Sequence, residues 1–119
     1  MLQKKIQVDT ANNLSNYNFP KFFQASKQKT IAKSLKFKGI GLHTGNQINM
    51  VLNPAPANSG IVFRKKINEN KIASISASYE NVKNTQLCTI LSDNFGNTVS
   101  TVEHILSALY AFDIDNIYI

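Results

Sequence analysis

The stretch Leu35-Lys36-Phe37-Lys38-Gly39-Ile40-Gly41-Leu42-His43-Thr44-Gly45-Asn46-Gln47-Ile48-Asn49-Met50-Val51-Leu52-Asn53 sets the fold class. Leu35 and Phe37 alternate with Ser34, Lys36 and Lys38, the period of two that marks a half-buried strand. Gly39, Gly41 and Gly45 bracket a turn around Leu42-His43-Thr44. Ile48, Met50 and Leu52 then alternate with Gln47, Asn49 and Asn53. The pattern predicts an antiparallel hairpin.

Downstream, Pro54, Pro56, Asn58 and Gly60 break the second strand. Ile61-Val62-Phe63-Arg64 reads as a short strand, and Lys65 to Lys71 as a polar connection. Ile72 to Ser76 alternates again, and Leu87-Cys88-Thr89-Ile90-Leu91 is β-rich. Asp93-Asn94-Phe95-Gly96-Asn97 has turn chemistry, and Val99 starts a returning strand. The one strong helix starts near Ser100 and fades near Phe112-Asp113. Val102, Ile105, Leu106 and Leu109 make its apolar stripe. Ser100 followed by Glu103 is a capping-box pattern. Asn116-Ile117-Tyr118-Ile119 reads as the start of a buried strand. The expected fold is α+β: a mostly antiparallel sheet of five or six strands with one clear helix packed across it as a two-layer sandwich.

Upstream, residues 1–28 are rich in Asn, Gln, Lys and Ser without a lasting period. They read as a flexible leader with a weak contact through Phe19, Phe22 and Phe23, and residues 29–119 as the folded part. The first thirty residues hold five lysines against Asp9 alone, which keeps an organelle-targeting role open. No apolar run approaches the ~18 residues needed to cross a bilayer. The single cysteine, Cys88, has no internal partner, so nothing calls for an oxidising compartment. A cytoplasmic location follows, or an organelle matrix if the leader is a targeting segment.

The 119 residues carry a formal net charge of +6, which suits an acidic partner. Nucleic acid is a poor fit. The lysines are dispersed, only Arg64-Lys65-Lys66 forms a block, and no aromatics are interleaved with it to stack on bases. A phosphorylated sugar nucleotide meets the same field.

Acid–base or metal chemistry must pass through the two histidines, His43 and His104. His104 lies in the first helical turn beside Glu103. Adjacent helical residues point ~100° apart, so the two side chains flank a ligand only if it sits off the helix end, where the dipole favours anions. Ala108 and Ala111 continue the histidine's row and leave room for another element. Two readings stand side by side: a capping glutamate next to a solvated histidine, or one part of a zinc site, which takes three or four ligands. Cys88 likewise reads as a small residue beside a pocket or as a nucleophile, with no local base evident.

Five blocks occur in order: Gly39-Ile40-Gly41-Leu42-His43-Thr44-Gly45; Asn53-Pro54-Ala55-Pro56 with Ser59-Gly60-Ile61-Val62-Phe63-Arg64; Thr85-Gln86-Leu87-Cys88-Thr89; Ser100-Thr101-Val102-Glu103-His104-Ile105-Leu106-Ser107-Ala108-Leu109; and Ile114-Asp115-Asn116. From about Lys29 onward this set resembles the amino-terminal part of the zinc-dependent UDP-3-O-acyl-N-acetylglucosamine deacetylases of lipid A biosynthesis. The resemblance implies that Glu103 is the general base towards water at the zinc and that His104 is a zinc ligand. It also implies that Leu87 and Cys88 line the substrate cleft and that His43 lies near the site. The substrate would be a UDP-sugar lipid that loses its N-acetyl group.

Enzymes of that family are longer and have two similar domains with the site between them. Their remaining zinc ligands come from a His-Lys-x-x-x-Asp helix absent from this sequence. This implies an incomplete first domain, inactive alone and needing a second polypeptide for the rest. The alternative is a non-catalytic remnant or a sugar-nucleotide-binding module. Asp93, Asp113 and Asp115 are formally available as replacement donors, though Asp115 should lie ~15 Å from His104 along the helix.

Overall fold

The computed structural model describes residues 27–119. The leader expected over 1–28, with Phe19, Phe22 and Phe23, lies outside the described residues except for its last two positions. Gln28 is already bonded into the body. Its side-chain oxygen accepts from the Asn58 N–H at 2.7 Å and from Asn116 Nδ2 at 3.0 Å.

The expected hairpin is present. Strand β1 (Leu35–Ile40) pairs antiparallel with β2 (Gln47–Pro54), with Leu35 opposite Leu52 and Ile40 opposite Gln47. Gly45 sits at φ 68°, a left-handed conformation that glycine adopts without steric cost. Strand β3 (Ile61–Asn68) then returns as β4 (Lys71–Ser76). The polar segment expected over Lys65–Lys71 is therefore strand with a tight turn at Glu69 and Asn70. Pairing with β4 along Val62–Asn68 holds the charged residues extended while their heads stay in water.

A 3-10 turn (Tyr79–Asn81) leads to β5 (Val82–Asn84), β6 (Ile90–Ser92) and β7 (Thr98–Ser100). Helix α1 (Glu103–Ala111) and the short β8 (Ile117–Tyr118) follow. The strands form a five-stranded sheet in the order β1-β2-β8-β3-β4 and a three-stranded sheet β5-β6-β7. Among the described residues, eight strands in two sheets replace the five or six expected in one. Only β3 and β8 pair in parallel, so the α+β class with mostly antiparallel pairing holds.

β8, legible in sequence only as a buried strand, is the centre of the larger sheet. Ile117 is 0% exposed and packs with Leu52 and Leu109, which joins the helix to the sheet. A second cluster of Phe63, Ile75, Leu91 and Val102 joins the two sheets at the helix start. The helix ends in a Schellman motif: the Ile114 N–H donates to the Leu109 carbonyl at 3.0 Å, and the Asp113 N–H to that of Tyr110 at 3.1 Å. Asp113 holds the left-handed position at φ 54° and pairs with Lys29 at 3.3 Å. No helix among the described residues is long and apolar enough to cross a membrane.

Candidate functional site

The site is built where β7 hands over to α1, and the geometry there departs from the capping box. Ser100 is the last residue of β7, opposite Ile90 in the ladder, and is not free to cap a helix. Val102 occupies the N-cap position without a side-chain capping bond. Between them Thr101 sits at φ 59°. A β-branched residue in that region is strained by about 1–3 kcal/mol, and such strain concentrates at functional sites.

The turn makes Glu103 the first helical residue instead of the third. Its carboxylate accepts the main-chain N–H of Thr89, while the Thr89 carbonyl accepts the Thr101 N–H at 3.0 Å. This two-way clamp on the Thr89 peptide explains why β6 starts at Ile90 and not at Leu87 as its composition suggests. Glu103's own N–H and that of Thr89 hold its carboxyl below the ordinary value of 4.5, with partial burial acting the other way. The group is a carboxylate at neutral pH, fixed at the mouth of the helix.

Asp93 is held low in the same sense. The Asn97 side-chain amide is the main cause, and the Asn97 and Phe95 N–H groups and the charge of Lys71 add to it. A depressed folded pKa stabilises the fold above the unfolded value and loses that contribution as pH falls through the folded one. Melting temperature is therefore expected to drop as pH falls below about 4.5, the ordinary Glu value, towards 3. Glu103→Gln removes one of the two groups, so its melting curve should vary less with pH than that of the parent chain.

His104 is exposed, one position along the helix, with Ala108 and Ala111 also exposed on its row. Together with His43 from the β1–β2 turn it lines an open cavity of about 810 Å³. Ile48 and Met50 of β2, Arg64, Lys65 and Lys66 of β3, and Ile105 of α1 contribute further walls. The structure thus brings both histidines to one cavity. Glu103, Leu87 and Cys88 do not line it: Glu103 turns to Thr89, Leu87 is 89% exposed in a bend, and Cys88 is half-buried with a free thiol. Cys88 precedes Thr89 directly, so the Glu103 bond tethers it to the helix start.

The alternative donors are engaged elsewhere. Asp115 accepts the Lys29 N–H at 2.7 Å, Asp113 pairs with the Lys29 ammonium, and Asp93 closes its own turn. Among the described residues no group of three His, Cys, Asp or Glu side chains is placed to hold a metal. The residues present supply one or two imidazoles and do not by themselves fit a zinc centre.

Two elements here were not assigned a role by sequence. The Thr89 main chain is the partner of Glu103, and Thr101 is the strained hinge. Both stand inside quoted blocks, but the bond from Thr89 to Glu103 crosses fourteen residues and leaves no local signal.

Residues 28–119 match the family described as UDP-3-O-acyl N-acetylglycosamine deacetylase. The chain is 48% identical over 96 residues to the UDP-3-O-acyl-N-acetylglucosamine deacetylase of Hydrogenovibrio crunogenus, covering 78% of this chain and 31% of that protein. It is 48% identical over 93 residues to the deacetylase of the same name from Pseudoalteromonas atlantica, covering 78% and 30%. With that of Campylobacter jejuni the identity is 52% over 94 residues, covering 78% and 30%. The chain thus spans about 30% of the length of the curated relatives it matches. On this match, which takes in the β1–β2 and β3–β4 hairpins and the Glu103-His104 helix start, the chain belongs to the UDP-3-O-acyl N-acetylglycosamine deacetylase family.

Proposed function

We propose that these residues form the Glu103–His104 half of a zinc-dependent deacetylase site that hydrolyses the N-acetyl group of a UDP-3-O-acyl-N-acetylglucosamine in lipid A biosynthesis. The observation that carries the reading is the placement of Glu103. Its carboxylate takes its own N–H at the helix start and also reaches across to the N–H of Thr89 before β6. It is kept ionised by two main-chain N–H groups and precedes His104, which lies on the rim of an open cavity that Glu103 itself does not line. A fixed carboxylate within reach of a water and a polarised carbonyl suits general-base work. His104 offers one imidazole ligand. The zinc, with its other ligands from outside the described residues, would supply Lewis acidity and an acidified water when bound. His43 is proposed to face the substrate across the cavity, and Leu87 and Cys88 to meet the substrate outside this cavity, from the loop before β6.

With one or two imidazoles only, the 119 residues by themselves are expected to bind zinc weakly and not to turn over. The remaining length found in the relatives would complete the site. Zinc titration followed by calorimetry tests the ligand assignment. Any zinc affinity of the chain should fall by at least about tenfold in His104→Ala, a change of about 1.4 kcal/mol in binding free energy. Micromolar binding that survives the substitution contradicts it. The alternative, a sugar-nucleotide-binding module without catalysis, is favoured if UDP-sugar binding persists and acetate release is absent from every assembled form.

A further inference from the structure

Among the described residues the larger sheet is covered on one face only. Leu52, Phe63, Ile75 and Ile117 turn to the face that carries α1 and the smaller sheet, where they pack with Leu91, Val102 and Leu109. Strand alternation sends their neighbours to the other face. Those neighbours include Lys36 and Lys38 of β1, Val51 of β2, Arg64 and Lys66 of β3, and Ile72 of β4. The ladder agrees with this parity. Lys36 stands opposite Val51 and Lys66 opposite Ile72, and the Arg64 guanidinium lies 3.8 Å from the ring centre of Tyr118 on β8. All four cations are exposed.

Charge is segregated across the fold. Glu69 sits in the β3–β4 turn, Glu80 in the 3-10 turn, Asp93 between β6 and β7, Glu103 at the start of α1, and Asp113 and Asp115 beyond its end. No carboxylate stands on the open face among the described residues, and the one ion pair among them is that of Lys29 with Asp113. The face also has an apolar end. β1 runs in the same direction as β3, because β2 opposes both β1 and β8 while β8 parallels β3. Both hairpin turns therefore lie at one end of the sheet. Ile40 closes β1 there at 78% exposure and Ile72 opens β4 there at 62%, both on the open face, with Leu42 exposed in the turn. β1 and β3 are three strand spacings apart. Two pairs of cations thus stand about 14 Å from each other, with aliphatic side chains at one end.

We propose that this face docks on an anionic lipid bilayer. Lys36, Lys38, Arg64 and Lys66 meet the lipid phosphates, and Ile40, Leu42 and Ile72 enter the headgroup layer at the hairpin-turn end. Four cations without a carboxylate among them complement a negative surface, and each basic residue close to one raises partition about fivefold. The four share one sign and hold their heads in water, so they read the sign of a surface and not its shape. The aliphatic end selects a bilayer over nucleic acid. A phosphate backbone offers it nothing, whereas apolar side chains gain by leaving water at the acyl boundary. Stacking on bases is closed to this face, since Tyr118, its one aromatic among the described residues, is already covered by Arg64. Glu103 and His104 belong to α1 on the covered face, so the docking stands apart from the deacetylase reading.

The test is cosedimentation of the 119-residue chain with lipid vesicles. Vesicles of phosphatidylcholine and phosphatidylglycerol, seven parts to three, should hold it at least about tenfold more tightly than phosphatidylcholine alone. Lys36→Gln with Lys38→Gln should weaken that binding by about 25-fold, fivefold for each cation. Lys71→Gln with Lys83→Gln removes the same charge away from this face, where Lys71 leans over Phe95 and Lys83 belongs to β5. That pair should change binding by less than about threefold. Ile40→Ser with Ile72→Ser should weaken it by about fivefold at unchanged charge. Equal binding to the two kinds of vesicle, equal losses in the two lysine pairs, or indifference to the isoleucine pair overturns the proposal. So does a DNA duplex that displaces the chain from the vesicles at equal phosphate concentration, which would mark the face as a nucleic-acid surface.

Discussion

Glu103→Gln is expected to lower turnover by about 10²- to 10⁴-fold in an enzyme assembled from this chain and the remaining length of its relatives. Glutamine keeps an oxygen for the Thr89 N–H, so the helix start and the handover from β7 stay in place. What disappears is the basic carboxylate. Circular dichroism and melting temperature at pH 7 should stay close to those of the parent, while acetate release collapses. A loss of fold in step with activity would instead mark Glu103 as a structural residue.

Ile117→Ala is the substitution expected to cost the most stability, about 2–5 kcal/mol. Its side chain is fully buried in the middle strand, where Leu52 and Leu109 meet, so the cavity left behind cannot collapse without moving the helix off the sheet. Two-state domains hold only 5–15 kcal/mol in total, so a loss of this size is a large share of the stability. Urea denaturation should show a clear drop in the midpoint. A change below about 1 kcal/mol would mean that the helix-to-sheet contact contributes little.

Much of this fold could be read along the chain because its signals are local. The β1–β2 hairpin follows from alternating side chains around three glycines, and the stripe Val102, Ile105, Leu106 and Leu109 fixes the helix and its buried face. Readings failed where a distant partner decided the outcome. Ser100 looks like a helix cap until β6 pairs with it. Lys65 and Lys66 look like a loop until β4 extends them. The parallel pairing of β3 with β8 joins residues more than fifty positions apart and has no trace in periodicity. At the site the sequence named the two histidines that share the cavity. The bond from Thr89 that holds the Glu103 carboxylate was hidden for the same reason, as was the left-handed turn at Thr101.

Acetate release from UDP-3-O-acyl-N-acetylglucosamine in the presence of zinc puts the proposed role of Glu103 and His104 to the strictest test. The 119-residue chain should release none alone. Release should begin when the polypeptide carrying the family's remaining length is added, and it should vanish with Glu103→Gln. Turnover by the 119 residues alone, or an assembled enzyme indifferent to Glu103→Gln, would contradict the assignment.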